Sequence, residues 1–127
     1  MDQHQYVTLN GVDMPVYSRW SYDPADPYAI TLAFSAEHGY WVMWSFARDL
    51  IIEGLRRPTG LGDVRVRPES TGGPEVVVIE LESPDGYAVV EAERVYVEKF
   101  VTATLEAVPL GSERIDIDAF IAGIIEV

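Results

Sequence analysis

WSFARDLIIEGLRRPTGLGDVRVRP, residues 44 to 68, carries the chain out of a strand, through a short helix and a basic turn, and into a second strand. Ser45 is placed to cap a helix over Ala47 to Leu55. Phe46, Leu50, Ile51, Gly54 and Leu55 fall on one stripe of it, leaving Arg48, Asp49 and Glu53 for solvent. Arg56 and Arg57 suit the negative pole of that helix before Pro58 stops it. Beyond the turn, Val64 and Val66 alternate with Arg65 and Arg67, the period of a strand with one buried face.

Working outward, Tyr6 to Leu9 and Pro15 to Tyr22 are rich in β-branched and aromatic residues around Asn10-Gly11, which predicts a hairpin. Asp23-Pro24-Ala25-Asp26-Pro27 is a rigid turn, because each proline holds its predecessor extended and the aspartates bond nearby backbone N–H groups. Ile30, Leu32 and Phe34 then alternate with Thr31, Ala33 and Ser35, and after a turn at Glu37-His38-Gly39 the next strand runs Tyr40 to Phe46. Tyr40, Val42, Trp44 and Phe46 point one way and Trp41 and Met43 the other, so both of its faces are apolar. Downstream of a turn at Ser70-Thr71-Gly72-Gly73-Pro74, Val76 to Glu82 and Tyr87 to Glu91 predict a second hairpin.

Arg94 to Val108 reads as the longest helix, apolar through Tyr96, Val97, Phe100, Val101, Leu105 and Val108 and ended by Pro109 and Gly111. A third helix is expected from Asp116 as N-cap, with Ile115 and Phe120 as its hydrophobic staple. The order strands, helix, strands, helix, helix predicts an α+β fold of antiparallel β-sheets with packed α-helices. At 127 residues and 48% hydrophobic content, residues 1–127 are expected to form one domain.

Nine basic residues against 21 acidic ones give a net charge of -12, which repels phosphate backbones and anionic lipid. The absence of cysteine excludes disulfides, zinc-thiolate sites, iron–sulfur clusters and thiol catalysis, and fits a reducing compartment. The first residues, MDQHQYVTLNG, have neither a basic leader nor an apolar run, and no segment approaches the length that spans a bilayer. A cytoplasmic protein without membrane insertion is expected, with no catalytic residues, cofactor or metal.

Candidate sites have plain structural readings beside the functional ones. Asp23 and Asp26 have the chemistry of an acid/base pair or of hard-cation ligands, but between two prolines they read as turn residues. Glu37 and His38 invite a metal reading, with His4 the only other histidine. Gly60-Leu61-Gly62 follows a helix and enters a strand, the reverse of a phosphate loop. Arg56, Arg57, Arg65 and Arg67, with Trp41 or Trp44, compose a basic-aromatic patch of the type that holds single-stranded nucleic acid. The structural alternative places Arg56 and Arg57 at a helix end and pairs the strand arginines with carboxylates. Trp20, Trp41, Trp44 and Phe46 are candidate core or interface anchors. The doubly apolar strand and the wide apolar surface of the long helix point to a homo-oligomer.

From Tyr22 to Asp118 the chain resembles the SsgA-like family of sporulation and cell-division proteins from filamentous actinobacteria, and within it the SsgB branch. The matching residues include Ala25-Asp26-Pro27-Tyr28-Ala29, Phe46-Ala47-Arg48-Asp49-Leu50, Glu53-Gly54-Leu55, Arg57-Pro58-Thr59-Gly60 and Gly62-Asp63-Val64-Arg65-Val66, then Ser83-Pro84, Glu91-Ala92, Val108-Pro109 and Glu113. Arg67 stands where family members commonly have Trp, and Glu93 where they have Pro. The resemblance implies a barrel-like, whirly-like fold in a trimeric assembly and a non-enzymatic role in septation. It further implies recruitment of the tubulin-like division protein FtsZ to the sporulation septum together with an SsgA-type paralogue. Two other readings follow from the residues: a whirly-like single-stranded nucleic-acid binder, and a small acidic enzyme using the Asp23/Asp26 loop.

Overall fold

The computed structural model describes residues 1–35, 39–70 and 72–114. Expectations resting on Glu37, His38 and Thr71, and the helix expected from Asp116, lie outside the described residues.

Two antiparallel meanders build the chain, each running directly into a helix. The first is β1 (Asp2–Leu9), β2 (Val12–Ser21), β3 (Ala29–Ser35) and β4 (Trp41–Ala47), followed by α1 (Arg48–Gly54). The second is β5 (Val64–Glu69), β6 (Val76–Ser83) and β7 (Gly86–Glu93), followed by α2 (Arg94–Ala107). Asn10 and Gly11, at φ 54° and 74°, close the β1–β2 hairpin in the left-handed geometry that matches strand twist. All strands belong to one curled sheet of order β4-β3-β2-β1-β7-β6-β5, a half-barrel. The α+β antiparallel fold read from the sequence is the observed one.

The meanders meet at a narrow seam. β6 and β7 pair from Val76↔Glu93 to Ser83↔Gly86, whereas β1 and β7 pair only at Thr8↔Glu91 and Leu9↔Val90. The core lies on the concave face, where Trp20, Ile30, Leu32, Phe34, Ile79, Leu81 and Val90 meet Ile51 of α1 and Val97, Phe100 and Val101 of α2. Phe100 presents its edge to Trp20 with ring centroids 5.9 Å apart. Burial of this apolar surface stabilises the sheet at about 25 cal/mol per Å².

Three local expectations need correction. Tyr40 precedes β4 and is 72% exposed instead of pointing inward. Ser45 does not cap α1, because β4 continues in the ladder to Ala47 and the Ser45 hydroxyl pairs with that of Thr31 at 3.0 Å. Ala47 takes the cap position with extended backbone and no side-chain bond, as Glu93 does before α2. Arg48 is buried, not solvated. It lies three residues before Ile51 and seven before Leu55, on the stripe that faces the core.

Gly54 sits where α1 crosses β5, and a Cβ added there would overlap the Val66 side chain. Alanine is the better helix former by about 1 kcal/mol, yet overpacking against a buried β-branched residue costs roughly 1–3 kcal/mol. Gly54→Ala should therefore lower the urea midpoint, and Gly54→Ala combined with Val66→Ala should recover part of the loss.

Candidate functional site

Arg48 opens α1 and reaches under α2. Its Nη1 donates to the Tyr22 hydroxyl at 3.1 Å and to the Thr104 and Val108 carbonyls at 3.2 and 2.7 Å, while Nη2 donates to Glu113 Oε1 at 2.7 Å. The guanidinium thus satisfies carbonyls at the C-terminal end of α2, where a cation is favoured. Tyr22 donates in turn to the Pro27 carbonyl at 3.0 Å. Burial pushes the Tyr22 phenol up, opposed by the neighbouring guanidinium. A bond from its own backbone N–H, and then the Arg48 guanidinium, hold the Glu113 carboxyl below its ordinary value against partial desolvation. The cluster ties the start of α1 to the end of α2 and to the segment at Glu113.

The predicted anchors separate by face. Trp20 is fully buried and Phe46 nearly so, Trp44 packs against the core from the edge strand, and Trp41 is 49% exposed on the opposite, convex face. Trp41 there joins residues that sequence reasoning passed over. Tyr17 stacks on His4 at 5.3 Å and meets Tyr6 and Trp41 edge-on at 5.8 and 6.0 Å, and the Arg19 guanidinium lies 5.8 Å from the Trp41 ring. Met43 is 62% exposed beside them, since Ala33 pairs with both Met43 and Arg19. The available signal was the β1–β2 register, which sets Tyr6 opposite Tyr17 and His4 opposite Arg19. The result is an exposed aromatic surface spanning β1, β2 and β4.

The arginine patch is distributed among carboxylates. Arg56 and Arg57 pair with Glu53, Arg65 with Glu80 and Glu82, and Arg67 with Glu80. Bonds from Arg65 and then Arg67 hold the Glu80 carboxyl below its ordinary value. Asp23 remains a turn residue, its carboxylate accepting the Ala25 N–H at 2.9 Å and its carbonyl the Asp26 N–H. Among the described residues, no group of three or more His, Cys, Asp or Glu is arranged to hold a metal. No helix of the described residues is long and apolar enough to cross a membrane.

Because the folded-state carboxyls of Glu113 and Glu80 titrate below their unfolded values, their contributions are complete above the ordinary glutamate value of about 4.3 and are lost as pH falls through the lowered ones. Urea midpoints of Glu113→Gln and Glu80→Gln should lie below wild type at pH 7, and the gap should close as pH falls below the ordinary glutamate value. Arg48→Met and Arg48→Lys should each cost roughly 3 kcal/mol, because neither side chain reproduces the planar fork that serves four acceptors. Trp41→Ala, by contrast, should leave stability within about 1 kcal/mol of wild type.

Known proteins share both this sequence and this fold. The family described as the Streptomyces sporulation and cell division protein SsgA matches residues 16–113. The chain is 46% identical over 108 residues to the sporulation-specific cell division protein SsgB of Streptomyces coelicolor, covering 85% of this chain and 79% of that protein. To SsgB of Frankia casuarinae it is 44% identical over 118 residues, covering 91% and 82%. The solved SsgA-like sporulation-specific cell division protein of Thermobifida fusca superposes with a TM-score of 0.84 at 39% identity, covering 98% of this chain and 94% of that one. With sequence and architecture in agreement over most of its length, the chain belongs to the SsgA family of sporulation and cell division proteins.

Proposed function

We propose that this chain is a non-enzymatic regulator of sporulation-specific cell division that helps to position or recruit FtsZ at septation sites through protein contacts. The role in sporulation cell division follows from the family. The finer reading is carried by the exposed aromatic surface of Tyr6, Tyr17 and Trp41 with Met43, since contiguous exposed aromatics of this type mark contact surfaces. In this reading an SsgA-type paralogue is a second partner, the chain assembles as a homo-oligomer, with a trimer favoured, and it works at the cytoplasmic side of the septum. Pairing of Arg56, Arg57, Arg65 and Arg67 with glutamates, on a chain of net charge -12, weighs against phosphate as the preferred ligand.

Co-sedimentation with FtsZ polymers tests the recruitment directly. The chain should enrich in the polymer pellet, alone or with the paralogue present, and Trp41→Ala with Tyr17→Ala should reduce that enrichment while the fold persists. Absence from the pellet in both conditions would overturn recruitment by direct contact. Sedimentation velocity at micromolar concentration should find a species heavier than the 14.2 kDa monomer.

A further inference from the structure

Arg19 differs from the arginines that the fold matches to carboxylates. Arg48, Arg56, Arg57, Arg65, Arg67 and Arg94 each pair with a glutamate, whereas among the described residues Arg19 joins no ion pair. Its guanidinium instead lies 5.8 Å from the centroid of the Trp41 ring, on the face where Trp41 meets Tyr17 edge-on and Tyr17 meets Tyr6. Arg19 and Met43 stand on either side of Ala33, which is only 1% exposed. Asp2 shares this face by alternation with His4 and Tyr6, opposite Ser21, and is not among the ion-paired carboxylates.

That placement constrains what can cover the aromatic surface. A guanidinium resting on an indole keeps the N–H groups at its edge available, and their planar fork holds a carboxylate in bidentate fashion. Any partner that covers Trp41 covers Arg19 with it. Taking the cation out of water without an anion is costly, so the occupant has to bring one. Tyr6 and Met43, 65% and 62% exposed, ask in turn for apolar side chains. Size favours a linear segment over a folded surface, because this handful of side chains is small against the roughly 800 Å² that each partner buries in a stable interface between folded domains. About four residues of extended chain, at roughly 3.3 Å each, span the row of rings.

We propose that the convex face of the first meander docks a linear acidic segment of a partner protein, with an aspartate or glutamate carboxylate on the Arg19 guanidinium and bulky apolar side chains beside it on Trp41, Tyr17 and Met43. The net charge of -12 repels such a segment at long range, but salt screens that field beyond about 8 Å at physiological ionic strength and spares the contact pair. A single-stranded nucleic acid would meet one guanidinium with many phosphates. This docking rests on the reading of the surface as a protein-contact site.

The test pans a displayed library of short random peptides against the isolated full chain and then titrates synthetic, fluorescein-labelled copies of the enriched peptides by anisotropy. These peptides should share an aspartate or glutamate next to a bulky apolar residue and bind saturably with Kd below about 1 mM. Replacing the acidic residue by its amide should weaken binding about tenfold, Trp41→Ala at least as much and Arg19→Glu more than either, with melting temperatures close to wild type. Panning against Arg19→Glu should move the enrichment to lysine and arginine. If Arg19→Glu does not fold, Arg19→Gln should show the loss. No saturable binder, enrichment without an acidic preference, wild-type affinity in Trp41→Ala or the Arg19 variant, or preference for an oligothymidylate over the peptides would each overturn the proposal. So would conversion of a heavier species to monomer by Trp41→Ala in sedimentation velocity, which puts a second copy on this face. FtsZ takes no part in the panning, so a missing acidic preference leaves pelleting with its polymers standing, and a negative pelleting result leaves the acidic preference standing.

Discussion

Arg48 holds together parts of the chain that no strand pairing connects. Its guanidinium joins the start of α1, the end of the first hairpin at Tyr22, the last turn of α2 and the segment beyond it at Glu113. The Tyr22 ring also lies against it, 5.3 Å from the guanidinium carbon. Burying such a cation is costly unless its donors are nearly all satisfied, so the four acceptors have to converge before the arrangement is stable. Among the described residues, Nε has no partner. The geometry couples the packing of α1 to that of α2, and hence the two meanders to each other on the concave side.

That coupling matters because the sheet itself joins the meanders weakly. Two residue pairs connect β1 to β7, against the full-length ladder of β6 and β7. Side-chain packing of Trp20 on Phe100, and the Arg48 cluster, hold the halves where backbone bonds do not. The convex face of the first meander carries its aromatic residues outward. Arg56, Arg57, Arg65 and Arg67 are matched to glutamates within their own half.

Much of the scaffold was legible. Ile30, Leu32 and Phe34 alternate strictly because one sheet face is buried, Asn10-Gly11 has the residues that a left-handed hairpin turn needs, and Arg65 of β5 stands opposite Glu80 of β6, which Arg67 also reaches. Ser45 and Arg48 were misread for the same reason. Residue type favours a serine cap and an exposed arginine, but the β4 ladder runs through Ala47, and Arg48 lies on the buried stripe with acceptors supplied from as far away as Glu113. Acceptors so distant in sequence leave no local pattern. The outward set of His4, Tyr6, Tyr17 and Trp41 was hidden likewise, because two hairpins have to fold in register before those rings touch.

Local periodicity and turn chemistry determined by themselves the α+β antiparallel class and the approximate positions of the strands and two helices, and the order of matching residues carried the resemblance to the SsgA family. These depend on neighbours within a few residues or on the linear order of motifs. Tertiary structure alone decided which apolar residues are core and which are surface, sending Trp20 inward and Trp41 outward. It also decided that Arg48 is the internal clamp and that β1 meets β7 at Thr8 and Leu9. The physical reason is that burial and hydrogen-bond satisfaction are properties of three-dimensional neighbours, which the curl of the sheet and its narrow seam choose.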